Sequence, residues 1–427
     1  MRLLSTDQSD FPAYWAKIQE RDRQPQALTE KVLAILKAVS QKGDKALLEL
    51  AAKYDGVKTK NVEELIYERS DFASAAEKIP PAITTALQTA ADNITAYHSR
   101  QELPANLTNG SLQQVVLPLE RVGIYVPGGS ACYPSSLLMA AIPAQLAGVK
   151  ELIVFSPATN GRPSDIILAC AHMNPAITRL YCLGGAQSIA AMAYGTETIE
   201  PVVKIVGPGN SYVTEAKRLV YGKVGIDIIA GPSEVAIVAD EQAPSEWVAA
   251  DLCAQAEHDP YAGIFLFSPY EDLLAQVVLN IKELVATQPR RSIIEQSLKN
   301  RGLAIKTRNI EEALSLVDQL AAEHTQLMTA NSKEHSRLLT RPPAIFCGYH
   351  SPVVFGDYCI GTNHILPTSP AGTFSSPLGV YDFVKRVSLV NLNKEQAAQL
   401  AGPAQTLAET EGLFAHSLSA KLRASSQ

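Results

Sequence analysis

Up to about residue 100 the apolar positions follow a helical period: Trp15, Ile18, Leu28, Val32, Leu33, Ile35 and Leu36 fall at helical spacing, and a second amphipathic run covers 81–97. From about Val115 the pattern changes to short apolar runs alternating with amphipathic stretches. The runs at 114–117, 122–126, 151–155, 180–183, 202–206, 226–229 and 235–238 predict strands, and 134–146, 163–172, 187–194 and 212–220 predict the helices between them. The same texture continues with helix 245–257, strand 264–267, helix 273–285, strand 303–306, helix 311–322, and strands 326–328 and 345–347. Such alternation predicts parallel sheets covered by helices on both faces. One sheet would need too many strands, so two α/β domains are expected. Past Pro370 a helical pattern in two pieces, 394–400 and 404–422, is too short to fold alone and must dock on something; a partner subunit is one candidate.

Composition changes this picture little. With 427 residues, 46% hydrophobic and 19% charged, the chain is an ordinary globular sequence able to bury a large core. A net charge of −6, with no basic patch, argues against nucleic acid as a partner. The first residues lack the apolar core of a signal peptide, and no apolar run reaches bilayer length, so a cytoplasmic protein with no membrane partner is expected. Six cysteines (132, 170, 182, 253, 347 and 359) show no C-x-x-C pairing and read as reduced, buried thiols.

Four predicted strands end in glycine-bearing turns: Val126-Pro-Gly-Gly-Ser130, Leu183-Gly-Gly-Ala-Gln187, Val206-Gly-Pro-Gly-Asn210 and Ala230-Gly-Pro-Ser-Glu234. Ligands of open α/β sheets bind at the carboxyl ends of strands, and helix N-termini favour phosphate, so these turns are expected to converge on a crevice for a phosphate-bearing ligand. The G-x-G-x-x-G fingerprint is absent, so a dinucleotide would bind in a non-standard way.

Gln255 and His258, three apart, share one face at the end of the predicted helix 245–257, where an amide oxygen and an imidazole can share a metal. The stretch Phe355–Thr368 is too glycine-rich and polar for a buried strand and adds Asp357 and His364; as a plain surface loop it would need neither. With His416 in the tail helix these give a nitrogen–oxygen set without thiolate, suited to zinc with positions left open for substrate. Glu323 and His324 end the predicted helix 311–322 just ahead of a strand, read here as the usual place for site residues in α/β domains. Adjacent helical residues diverge by about 100°, so both face one cleft only if the helix breaks there. A histidine is the natural base for a hydroxyl, and the glutamate beside it could activate water; an exposed helix-terminal histidine favoured by the dipole fits the same dipeptide. His98, His172, His335 and His350 read as structural. Glu411 and His416, five apart, do not share an obvious helical face.

In order and spacing, Tyr125-Val-Pro-Gly-Gly-Ser130, Tyr133-Pro-Ser-Ser136, Gly184-Gly-Ala-Gln187, Lys204-Ile-Val-Gly-Pro-Gly-Asn210, Ala230-Gly-Pro-Ser-Glu234, Gln255-Ala-Glu-His258, Gly356-Asp-Tyr358 and Gly361-Thr-Asn-His-Ile-Leu-Pro-Thr368 resemble the histidinol dehydrogenase family. The resemblance runs from about residue 20 almost to the C-terminus. It implies a zinc-bearing homodimer that oxidises L-histidinol to L-histidine by two hydride transfers to NAD, through an aldehyde, in histidine biosynthesis. Carried over by position, it implies zinc ligands Gln255, His258, Asp357 and His416, and an acid/base pair Glu323 and His324. Ser233, His364 and Glu411 would contact substrate, together with the zinc ligands and His324, while Tyr125, Gln187 and Asn210 would contact NAD. Glu411 and His416 would come from the partner subunit. The architecture implied is two Rossmann-like parallel-sheet domains, 22–124 with 234–374 and 125–233, plus small helical extensions at 1–21 and 375–427. The chain departs from the family pattern at Ala321-Ala322, where Gly-Pro is usual, at Thr325 for Leu, at Val353 for Glu, and at Ala140 for Asn. The departures near Glu323 and Asp357 leave a related dehydrogenase for another polar alcohol as the alternative; a zinc hydrolase using Glu323 to activate water would explain the ligands without NAD but leaves the glycine turns idle.

Overall fold

The computed structural model describes residues 1–19, 26–128, 132–229 and 231–424. Gly129 and Ser130 of the first glycine turn, Ala230 of the fourth, and residues 20 and 21 of the expected N-terminal extension lie outside the described residues. In chain order the strands are β1 Arg2–Ser5, β2 Ile66–Tyr67, β3 Leu107–Asn109, β4 Leu112–Pro118, β5 Arg121–Tyr125, β6 Glu151–Ser156, β7 Ile177–Cys182 and β8 Lys204–Val206. They continue with β9 Gly225–Ile226, β10 Glu234–Ala239, β11 Gly263–Ser268, β12 Gly302–Lys306, β13 His324–Met328, β14 Ile345–Cys347 and β15 Val384–Val390.

Among the described residues these strands form two six-stranded sheets, ordered β1-β12-β11-β10-β13-β14 and β2-β7-β6-β5-β8-β9, and a three-stranded sheet, β15-β4-β3. The first is parallel throughout. In the second only β2 runs antiparallel. The chain therefore has the α/β class that its alternating pattern predicts. Both central strands of the first sheet, Glu-Val-Ala-Ile-Val-Ala of β10 and Gly-Ile-Phe-Leu-Phe-Ser of β11, are buried at every position, as strands covered on two faces must be. Helices Ser245–Ala256 and Glu271–Val285 pack on one face of it. Helices Phe11–Gln19 and Ile310–Leu320 pack on the other, where the Trp15 ring meets Phe267 edge-on at 6.0 Å between centroids. The second sheet is covered by helices Gln26–Leu50, Gly185–Tyr194 and Ser211–Val220.

By mutual contact the chain divides into two units, Met1–Gln101 with Leu119–Phe383, and Glu102–Pro118 with Val384–Gln427. The predicted strand 114–117 belongs to the second, inside antiparallel β4. Three expectations are corrected. Residues 2–5, within the helical N-terminal stretch, form β1 alongside β12 with Leu4 opposite Ile305; four residues are too few to display a period. Helix Lys394–Thr410 continues through Pro403 rather than ending before it, because Pro403 and its neighbours face solvent, where water can take the carbonyl that proline leaves free. Residues 355–358, the start of the stretch Phe355–Thr368 read as a loop, lie in a short helix, Val353–Tyr358. Pro352 precedes its first turn, and Gly356 lets it pack on Phe346, whose ring would lie 2.6 Å from an added Cβ.

Chain order reverses between β5 and β8 in the second sheet and between β10 and β13 in the first. Such reversals open crevices between the connections on either side.

Candidate active site

A cavity of about 820 Å³ is lined by residues following β5 and β8 (Gly128, Gly209 and Asn210) and by residues at the start of β10 and β13 (Ser233, Glu323 and His324). The second sheet thus uses its carboxyl edge, as expected. The first uses its amino edge, which corrects the expectation that Glu323 and His324 occupy the customary side of an α/β sheet.

Glu323 and His324 reach one cavity because the helix does break before them. Ala321 takes a left-handed conformation, φ 48°, and ends helix Ile310–Leu320. An L-residue there costs about 1–2 kcal/mol, a cost glycine would not carry. Both site residues are buried, at 6% and 4% exposure. His324 Nδ1 lies 3.9 Å from Glu323 Oε2, and its Nε2 lies 3.6 Å from Asp357 Oδ1. The Glu234 N–H donates to Glu323 Oε2 at 3.2 Å, and the Glu234 carboxylate behind it pairs with Arg301 at 2.6 Å. Burial pushes the Glu323 carboxyl up to about 7, against the pull of His324, the Glu234 N–H and the Ser233 hydroxyl. Burial disfavours the His324 imidazolium, but Glu323 and Asp357 outweigh it and raise the pKa to about 8. Two buried groups so matched can hold one proton between them and release it near neutrality.

Gln255, in the last turn of helix Ser245–Ala256, His258 two residues beyond it, and Asp357 in helix Val353–Tyr358 line the same cavity. Burial lowers the His258 pKa, leaving the imidazole neutral. Burial would raise Asp357, but His324 and the other nearby histidines hold it below its usual value, as a carboxylate. Neutral imidazole, carboxylate and amide oxygen are the ligating forms for a divalent ion. The set is partial: among the described residues no group of three or more His, Cys, Asp or Glu side chains is gathered to hold a metal. His416 and Glu411 lie in the second unit, both exposed.

Ser233 and His364 also line the cavity. His364 Nδ1 lies 2.7 Å from the Asp357 carbonyl, which can only accept, so Nδ1 carries the proton. In the neutral ring Nε2 then accepts from the Ser136 hydroxyl at 3.0 Å. His364 therefore ties the Asp357 segment to helix Pro134–Leu146.

On the other wall, Asn210 lines the cavity while its side chain caps helix Ser211–Val220, accepting from the N–H groups of Tyr212 and Val213 at 3.0 and 3.1 Å. Tyr125 and Gln187 are buried and not among the lining residues; they hold the turn at 183–187. The Tyr125 hydroxyl accepts from the Gly185 N–H, and Asp55 accepts from both the Gly184 N–H and Gln187 Nε2. That corrects the expectation of four converging glycine turns. The turns at 126–128, 207–210 and 231–233 contribute lining residues, whereas at 183–187 the Gly184 and Gly185 N–H groups are taken by Asp55 and Tyr125. Asp55 and Ser136 were given no role from sequence, because nothing local marks residues that matter through partners 129 and 228 positions away. The departures from the family pattern, Ala140, Ala321, Ala322, Thr325 and Val353, are all buried and none lines the cavity. Val353 joins the apolar core under β10 and β11.

A family model described as histidinol dehydrogenase matches residues 18–424. The chain is 44% identical over 428 residues to a histidinol dehydrogenase of Neisseria meningitidis (serogroup A / serotype 4A), covering 99% of this chain and 100% of that one. It is 44% identical over 401 residues to one of Pseudomonas putida, covering 93% and 91%. A crystal structure of histidinol dehydrogenase from Elizabethkingia anophelis superposes with a TM-score of 0.89 at 32% identity, covering 99% of this chain and 98% of that one. With the fold, the cavity and these similarities together, the chain belongs to the histidinol dehydrogenase family and is an oxidoreductase.

Proposed function

We propose that this chain oxidises L-histidinol to L-histidine through the aldehyde, with two hydride transfers to NAD, as a step of histidine biosynthesis. The observation that carries the reading is the burial of Glu323 and His324 side by side on a cavity shared with Gln255, His258 and Asp357, in a chain of this family. His324 takes the hydroxyl proton of the alcohol while hydride leaves the carbinol carbon. Water then adds to the aldehyde, Glu323 taking one of its protons while His324 returns the proton it holds to the aldehyde oxygen and becomes a free base again. His324 takes a proton from the hydrate as the second hydride leaves, and the resulting acid ionises to a carboxylate. Positioned proton transfer of this kind contributes about 10²–10⁴-fold to rate.

NAD, when bound, accepts the hydride; Asn210 on the cavity wall, with Tyr125 and Gln187 at the neighbouring turn, forms its side of the site. Gln255, His258, Asp357 and His416 would hold zinc, which would supply a fixed anchor for the substrate amine and imidazole. Ser233, His364 and Glu411 would contact substrate, alongside Gln255, His258, His324, Asp357 and His416. In domain terms 22–124 with 234–374 carries the acid/base pair and most metal ligands, 125–233 the NAD side, and 1–21 is an N-terminal extension. The tail, 375–427, docks on a second copy, so that Glu411 and His416 complete the site of a cytoplasmic homodimer. The second unit supports that docking, since Leu400, Leu407, Leu413, Phe414 and Leu418 are all exposed, Phe414 at 72%. Large apolar side chains left exposed on two neighbouring helices are what a docking face would cover.

Glu323→Gln tests the division of labour. It should yield one NADH per histidinol and accumulate aldehyde, whereas His324→Asn should abolish both oxidations. A Glu323→Gln protein that still forms the acid at the native rate would remove Glu323 from the second step.

A further inference from the structure

Arg290 directly precedes helix Arg291–Arg301 and is half-buried on the cavity wall. It is the only lysine or arginine among the described lining residues, against four carboxylates, Glu257, Asp259, Glu323 and Asp357. Its Nε is buried without a hydrogen-bond partner, and no ion pair engages it among the described residues. The other end of its helix is fully employed. Asn300 donates to the Pro260 carbonyl at 3.0 Å, and Arg301 donates to the Tyr261 carbonyl at 3.1 Å and pairs with Glu234. The helix is thus pinned to the segment carrying Asp259 and Tyr261, while Arg290 at its start lines the cavity. A buried donor without an acceptor is costly, and a ligand that supplies the acceptor relieves that cost.

We infer that Arg290 is the anion-binding residue of this cavity and that the anion it takes is the carboxylate of the oxidised product. The inference rests on the functional reading above, in which the reaction ends at a carboxylate. The alcohol, the aldehyde and the hydrate are uncharged at the reacting carbon. The acid that forms when the second hydride leaves loses its proton and places a new negative charge in a cavity already holding Glu323 and Asp357. A planar guanidinium pairs with a carboxylate through two parallel N–H donors, which a neutral hydroxyl cannot match. Arg290 offsets that repulsion at the one stage where it arises.

The test is calorimetric titration of the zinc-loaded wild type, Arg290→Gln and Arg290→Lys with L-histidinol, L-histidine and NAD. Arg290→Gln should weaken L-histidine by about tenfold or more, the scale of one charge-assisted hydrogen bond. Arg290→Lys should recover part of that loss, and L-histidinol should change far less in either variant. Unchanged L-histidine affinity in Arg290→Gln would overturn the inference. Weakening of NAD instead would reassign Arg290 to a cofactor phosphate and overturn the product assignment. Equal weakening of all three ligands would make it a structural residue and overturn it too. A wild type that binds neither L-histidinol nor L-histidine would fail the functional reading itself, and this inference with it.

Discussion

Glu323 illustrates what a buried carboxyl costs the fold that carries it. Its carboxyl titrates near 7 because it is buried, so the folded chain holds the proton more tightly than the unfolded chain does. The resulting stability is fully present below the ordinary carboxylate pKa of 4.5 and is lost as pH rises through about 7. Glu323→Gln, which cannot ionise, should therefore be more stable than wild type at pH 8 and gain much less at pH 5. Denaturant midpoints of both proteins at both values check this; a larger gain at the acid end would reverse the assigned sign. Ala321 adds local strain on the same segment, and the buried Thr325 hydroxyl beside His324 has no partner among the described residues. Both positions are departures from the family pattern, and both act on the backbone that presents the pair rather than on the cavity lining.

At the level of elements, the turn after β8 shows how the cavity wall that carries Asn210 is held. Gly207 has φ +114°, and an added Cβ would fall 2.1 Å from the Tyr125 carbonyl oxygen, so only glycine fits. Its N–H donates to Asp227 at 2.7 Å, its carbonyl accepts from Lys217 at 2.9 Å, and the two side chains form a buried ion pair. Lys217→Met leaves Asp227 buried and unpaired, which should cost about 3–5 kcal/mol. It should also raise KM for NAD more than KM for histidinol, while a Lys217→Met/Asp227→Leu double variant should recover stability. Equal changes in both KM values would deny the pair a role in shaping that wall for NAD. The same scale marks the limit of sequence reading. Strands β5, β6, β10, β11 and β14 were legible because they are apolar runs bounded by turns, and Glu323-His324 because a helix had to break before it. Helix Arg291–Arg301, strand β1 and the Asp55 contact were not. The first carries few apolar residues, the second is four residues long, and the third joins positions 129 apart.

For the whole molecule the central question is completeness. The first unit gathers Gln255, His258 and Asp357 on one cavity but, among the described residues, no full metal cluster, while the second carries an exposed His416 close in sequence to exposed Leu413 and Phe414. If two copies share sites, His416→Ala and His258→Ala proteins should each be nearly inactive alone and regain up to about a quarter of wild-type activity after subunit exchange, the share of intact sites in a random mixture with half hybrid dimers. No recovery in subunits shown to exchange would place His416 outside the site. All of this depends on one reaction, and its electron count is the most direct measure. Zinc-loaded protein given limiting L-histidinol and excess NAD should form two NADH per L-histidinol consumed, with L-histidine as product. One NADH with aldehyde as the end product, or none at all, would contradict the account.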